Sequence, residues 1–296
     1  MLPHDPYTLM LNALNDHMDN ISEEEVWLGL QKSQDFVRQL RNGYQSCPCN
    51  IDYGNAHLRA AYMLAYYPHY VEVLYAVLKQ LHEEDVNLLS IDVLRIACVG
   101  AGPAPELLGL LSFLQEQNPG EQIVKACVLD KYANDWRVGQ EITRYHLAPQ
   151  YGQHKQLFLN PIHFDLTTPP DTWADLVFRP LKRANMFVMQ NALNDQLAMR
   201  ESLLANLLFI IQQSKPDTLF VLIDLVYAEI KAFLNDLADL VTDEQIARVV
   251  LRPSDANVIE SKVKVPEIVL EHLLVGEDGL IPRRYTRFYS LSFVRI

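Results

Sequence analysis

The chain has 296 residues, 49% of them hydrophobic and 21% charged, the balance of a globular protein able to bury a large core. Its formal net charge of −12 is uneven: residues 1–90 and 91–247 each carry −7, and residues 248–296 carry +2. That distribution offers no basic footprint for long nucleic-acid contacts, and no apolar run reaches the roughly 20 residues of a membrane span.

The first residues, MLPHDPYTLM, show neither a basic stretch leading into an apolar one nor an Arg-rich leader, so a cytoplasmic protein is expected. Residues 22–41 predict a helix, with Ser22 as cap, Glu25 completing a capping box, and Val26, Leu30, Phe36, Val37 and Leu40 on one face. Residues 42–55 carry loop chemistry. Cys47 and Cys49 form a lone C-P-C pair with no second pair elsewhere, so no metal site is expected. A further helical run breaks at Pro68 and resumes to about Glu84. The first ninety residues therefore predict an all-helical extension.

This extension is rich in tyrosine. Aromatics at helical spacing usually bury against a neighbouring layer. The segment AYYPHY, at the helix break, also suits the mouth of a ligand site, which makes Tyr66, Tyr67, His69 and Tyr70 candidates for a substrate pocket.

From Leu94 the pattern changes. LRIACV is a buried strand that runs into Gly100 and Gly102; Pro103 and Pro105 stop it, and Pro105-Glu106 suits the first turn of a helix. KACVLD follows as a second strand ending on Asp130. Cys98 and Cys127 lie inside these strands as core residues. A strand, a glycine loop, a helix and a strand ending on an acid form a nucleotide-binding layout, in which the acid accepts from ribose hydroxyls.

The alternation continues through a helix at 134–147, QLFLNPIHFDL with Asp165 near its end, a short strand at 185–190, a long helix, the strand TLFVLIDLVY and another helix. Apolar strands alternating with helices predict a parallel sheet covered on both faces, with ligand beyond the carboxyl ends of the strands. Gly100, Gly102, Asp130, Asp165 and Asn191 should then surround one crevice. Asn194 and Asp195 either orient a substrate or cap the helix that follows; Asp224 either reaches the substrate side or serves as a structural acid. The last stretch, RRYTRFYSLSFVRI, is a long strand with no helix after it, and residues 247–253 suit a partner strand, which together give a mixed sheet. Arg283, Arg284 and Arg287 read as a solvated strand end or as a seat for one anionic group.

A dinucleotide fingerprint needs G-x-G-x-x-G, and Pro105 stands at its third glycine. VGAGPAPE, Asp130, FDL, MQNALND and the terminal strand together resemble the class I S-adenosylmethionine-dependent methyltransferase family over residues 91–296. The helical AYMLAYYPHY ahead of the loop gives a looser likeness to the ribosomal small-subunit methyltransferase-like branch. The resemblance implies a Rossmann-like α/β fold: a mixed seven-stranded sheet with an antiparallel C-terminal strand, preceded by the helical segment 1–90 packing on or capping the active site.

It also implies roles. Gly100, Ala101 and Gly102 would run along the amino-acid half of S-adenosyl-L-methionine, and Asp130 would hold its ribose, with Lys131 and Tyr132 beside the adenine. Asp165 would accept from the adenine amino group, Leu166 would cover the ring, and Asn191 would sit near the methionine end. Cys98 stands where the family often has an acid, so the methionine ammonium would need another partner, such as backbone carbonyls. The implied activity is methyl transfer to a small molecule or protein rather than to nucleic acid. Two alternatives share the cofactor: aminocarboxypropyl transfer of the nicotianamine synthase-like kind, and a catalytically silent cofactor-binding subunit.

Overall fold

A computed structural model describes residues 5–17, 23–84, 86 and 89–296. Helix α1 (Pro6–His17) is an element the sequence pattern does not predict; Tyr7, Met10 and Ala13, at spacings of three, turn one fully buried face inward. Helix α2 (Glu23–Gly43) matches the expected helix, while its predicted cap Ser22 lies outside the described residues. Asn55 caps α3 (Ala56–Ala65) by accepting from the His57 amide at 2.9 Å. The break falls at Tyr66 rather than at Pro68, because proline fits the first turn of the next helix, α4 (Tyr67–Glu83), where no amide partner is lost.

The sheet begins with β1 (Val93–Val99), α5 (Pro105–Gln117) and β2 (Gln122–Asp130). The helix expected at 134–147 is a bent run: α6 (Arg137–Glu141), a wide π-helical turn over Ile142–Leu147, and α7 (Ala148–Tyr151). Pro149, which has no amide to offer the preceding turn, accounts for the departure from regular helix. Then come β3 (Lys155–His163), α8 (Asp175–Arg183), β4 (Met186–Gln190), α9 (Leu193–Gln196), α10 (Arg200–Gln213), β5 (Leu219–Leu225) and α11 (Ala228–Asp243). The chain ends through β6 (Ala247–Leu251), β7 (Asn257–Glu260), α12 (Glu267–His272) and β8 (Tyr285–Arg295).

The strand order is β3-β2-β1-β4-β5-β8-β6, with β7 pairing β8. Strands β1 to β5 are parallel, and β8 runs antiparallel between β5 and β6. The sheet has seven places across but eight strands, because β6 and β7 lie one after the other along the outer edge of β8. This is the expected Rossmann-like fold with its antiparallel C-terminal strand. Consecutive strands β1, β2 and β3 step one way and β4 and β5 the other, which opens a crevice beyond the ends of β1 and β4.

Alternate residues of each strand face opposite sides. Leu94, Ile96 and Cys98 of β1 share an apolar core with Tyr7, Leu74, Val77 and Leu78 of the N-terminal helices; Ala97 and Val99 face Leu203, Leu207 and Phe233. The helical segment thus covers one face of the sheet, and α10 and α11 cover the other. The closest approach is at Gly109 of α5, where a Cβ would overlap the carbonyl oxygen of Val71 in α4. Gly29 in α2 has open space in the same position.

These two glycines make opposite predictions. Gly29→Ala should raise the free energy of unfolding by about 0.5–1 kcal/mol through helix propensity. Gly109→Ala should lower it by roughly 1–3 kcal/mol, because α4 and α5 must move apart. Urea unfolding checks both, and a neutral Gly109→Ala would contradict the close helix contact.

Candidate functional site

A cavity of about 300 Å³ lies at the crevice beyond β1 and β4, within the range of small-ligand sites. Its floor is the loop after β1. Gly100 and Gly102 adopt φ +64° and +53°, and Ala104 adopts φ 61° before α5 begins. A side chain at Gly100 would drive its Cβ into that of Ala192, and one at Gly102 would meet the Trp136 ring at 3.0 Å. The loop needs these left-handed turns to pass between β4 and α6.

Polar groups hold the loop on every side. The Gly100 amide donates to the Leu129 carbonyl at 2.8 Å and the Ala104 amide to that of Ala101 at 2.8 Å. Asp130 accepts from the amides of Gly102 at 2.8 Å and Tyr132 at 2.7 Å. The carbonyls of Gly102 and Pro103 accept from Gln140 at 2.9 Å and Thr143 at 2.7 Å. Those two carbonyls are therefore already engaged, which disfavours the backbone route for an ammonium.

All nine residues expected to hold a cofactor line this one cavity: Gly100, Ala101, Gly102, Asp130, Lys131, Tyr132, Asp165, Leu166 and Asn191. Asp165 combines two tasks. It forms a turn, accepting from the Thr167 amide at 2.9 Å and hydroxyl at 2.6 Å, and its carboxylate lies 3.5 Å from the Lys131 ammonium. Burial opposes its ionisation, but Thr167 and Lys131 outweigh that and hold it below the usual carboxylate range. Asn191 takes a left-handed φ of 56°, a conformation asparagine tolerates, and anchors its amide on the Ile223 carbonyl at 2.9 Å.

The substrate-pocket candidates divide. Asp195 lines the cavity, where it accepts from the Cys49 thiol. Asn194 does not. It is fully buried, its amide donating to Asp224 at 3.2 Å and its carbonyl accepting from the Cys49 amide at 3.2 Å. Tyr66, Tyr67, His69 and Tyr70 also lie outside the cavity lining, because the helix restarting at Tyr67 turns them into the core. Tyr67 hydrogen-bonds Thr143 at 2.7 Å, His69 Nδ1 lies 2.6 Å from the Ser261 hydroxyl, and Tyr70 accepts from Arg283 at 2.6 Å. Arg283 stacks over the Tyr66 and Tyr70 rings and is not a solvated strand end. Asp224 is the structural acid: fully buried, it takes the amides of Leu193, Asn194 and Leu225 and so ties the loop after β4 to β5.

Much of the outer wall is not predicted by the sequence pattern. Tyr53, Tyr62 and Trp136 line the cavity as a ring cluster with centroids 5.5–5.9 Å apart. Tyr44 and Cys49 join them from the N-terminal segment, the Tyr44 and Tyr53 hydroxyls being hydrogen-bonded to each other. Glu106, which the sequence presents only as a partner of the helix end, also lines the cavity. The one signal for these residues is the density of tyrosine ahead of the glycine loop.

Two features define what the cavity can hold. Among the described residues, the lining carries four carboxylic acids, Glu106, Asp130, Asp165 and Asp195, and one lysine, Lys131, already beside Asp165. Four buried polar atoms on the lining have no hydrogen-bond partner: Glu106 Oε1, Gln190 Oε1, Asn191 Nδ2 and Gln196 Oε1. Orphaned atoms facing a cavity suit a polar, positively charged ligand.

No family model and no curated protein matches the chain. Among solved structures, it is similar to a protein from Streptococcus mutans described as a methyltransferase, in complex with SAH, at 10% identity and TM-score 0.38, covering 73% of this chain and 97% of that one. It is also similar to a protein from Listeria monocytogenes described as a class I S-adenosylmethionine-dependent methyltransferase, at 10% identity and TM-score 0.43, covering 98% and 86%. TrmN from Thermus thermophilus gives 12% identity and TM-score 0.39, covering 77% and 53%. The fold assignment stands on this chain's own strand order.

The acids set a pH dependence. Burial raises Asp195 and Asp224 to about 7 and Glu106 to about 8, against about 4 in an unfolded chain. The folded protein then holds protons that the unfolded chain has released, so stability is lost as pH rises through these values. His69, lowered to about 4 by burial and then by Arg283, acts oppositely but only below about pH 6.5. Unfolding free energy should fall by roughly 3 kcal/mol between pH 6.5 and 8; denaturant titrations showing constant or rising stability would contradict the buried acids.

Proposed function

We propose that the chain is an S-adenosylmethionine-dependent methyltransferase acting on a small molecule or a protein. The observation that carries this reading is the chemistry of the glycine loop. A dinucleotide or a nucleoside triphosphate needs free amides and cations at the start of the first helix to meet its phosphates. Here Pro103 and Pro105 have no amide, the Gly102 amide is spent on Asp130, and that of Ala104 on Ala101. The surrounding groups are acids. Such a site repels phosphate and attracts a sulfonium and an ammonium, and the Tyr53, Tyr62 and Trp136 rings add faces that favour cations.

In this reading Gly100, Ala101 and Gly102 carry the amino-acid half and Asp130 accepts from the ribose hydroxyls with the lone pairs its two amides leave free. Lys131, Tyr132 and Leu166 border the adenine, Asp165 accepts from its amino group, and Asn191 lies towards the methionine end. The bound cofactor supplies a methyl group already activated by its positive sulfur. The protein's part is to align the acceptor and exclude water. Asp195, raised to about 7 by burial and by Asp224, is the lining group suited to receiving a proton from an acceptor near neutral pH. Segment 1–90 supplies Tyr44, Cys49, Tyr53 and Tyr62 and so closes the cavity over the acceptor. With its lysine committed to Asp165, the described lining favours an uncharged or cationic acceptor over a phosphate-rich one.

Titration calorimetry tests the reading. S-adenosylmethionine and S-adenosylhomocysteine should bind, NAD should not, and Asp130→Ala should weaken binding roughly ten- to hundredfold. Binding of NAD in preference to both, or an unchanged affinity in Asp130→Ala, would contradict it. With an acceptor in hand, S-adenosylhomocysteine as product indicates methyl transfer and methylthioadenosine indicates aminocarboxypropyl transfer.

A further inference from the structure

Strand β1 carries Cys98 where the resemblance leads one to expect an acid, and the loop carbonyls of Ala101, Gly102 and Pro103 already accept hydrogen bonds. Glu106 lies beside that position from another direction. It sits in the first turn of α5, is 1% exposed, and lines the cavity. Cys98 is among the groups that interact electrostatically with its carboxyl, so the strand position without an acid and the helix position with one lie side by side. One oxygen of that carboxyl, Oε1, is buried with no hydrogen-bond partner.

A buried carboxyl oxygen without a partner, on the wall of an acid-lined cavity, is costly unless a ligand completes it. We propose that Glu106 is the binding residue for the α-ammonium group of the ligand's amino-acid end, replacing from the helix the acid that β1 lacks. This rests on the reading of the cavity as a site for S-adenosylmethionine.

The chemistry sets a signature. The groups facing Glu106 are Cys98 of β1, Asp130 at the end of β2, Tyr62 of α3 and Tyr67 of α4, none of them a cation. With its pKa raised to about 8 by burial, most of the Glu106 carboxyl is protonated in the empty site at pH 7. Pairing with an ammonium ionises it. The carboxyl proton leaves to solvent, the ammonium keeps its own, and binding releases close to one proton per site.

Calorimetry of the wild-type chain with S-adenosylhomocysteine at pH 7, in two buffers of different ionisation enthalpy, reads that proton directly. The same titration with 5′-methylthioadenosine, which lacks the amino-acid end, should bind without the release. Glu106→Gln should lose roughly ten- to hundredfold in affinity for S-adenosylhomocysteine, lose the proton release, and keep its affinity for 5′-methylthioadenosine. Buffer-independent heats in the wild-type chain, or a Glu106→Gln variant that binds and releases as wild type does, would overturn the role of Glu106 alone. Failure of both ligands to bind the wild-type chain would overturn the cavity reading and this assignment with it.

Discussion

The site depends on one hydrogen bond, from the Gly102 amide to the Asp130 carboxylate at 2.8 Å. It joins the glycine loop after β1 to the end of β2, two segments held in register by parallel pairing from Val93–Ile123 to Val99–Leu129. The loop reaches it only through left-handed backbone at Gly100, Gly102 and Ala104, a conformation that costs about 1–2 kcal/mol at a residue with a Cβ. Gln140 and Thr143 hold the loop's carbonyls from α6 and the π-helical turn, and Tyr67 supports Thr143 in turn. The N-terminal helices are thereby connected to the loop geometry through two hydrogen bonds, as well as through the shared apolar core.

Charge gives the site its character. Desolvation raises Glu106, Asp130 and Asp195 together, and the Asp130 charge makes both Glu106 and Asp195 harder to ionise. A cation entering such a cavity relieves burial and mutual repulsion at once. The same concentration of carboxylates, with proline at two amide positions, disfavours phosphate. The chain's overall −12 charge is thus mirrored at the scale of the cavity, though Asp195 and Glu106 need not be charged at neutral pH until something binds.

What the sequence reveals of this arrangement depends on how local each signal is. Strand alternation and the glycine loop are local, and their pattern alone places Asp130, Asp165 and Asn191 at neighbouring strand ends. The antiparallel last strand follows from an aromatic, β-branched run with no helix after it. Side-chain direction at a helix break is not local: a restart at Tyr67 rather than beyond Pro68 sends Tyr66, Tyr67, His69 and Tyr70 into the core and leaves Tyr62 on the cavity. Trp136 and Tyr53, distant in sequence, meet only through packing. Glu106 is visible as a helix-end acid, but its contact with Cys98 belongs to tertiary structure. Short elements do not announce themselves: α8 has a one-sided apolar pattern, but Pro180 inside its nine residues reads as a helix breaker, and β7, with four residues, is too short to show alternation.

The most direct measurement is a crystal structure of the chain grown with S-adenosylhomocysteine. The account predicts electron density in the cavity beyond β1 and β4, with the ribose against Asp130, the adenine beside Tyr132 and Leu166, and the amino-acid end directed along Gly100–Gly102. Density for the ligand anywhere else, or an empty cavity at saturating ligand, would contradict it.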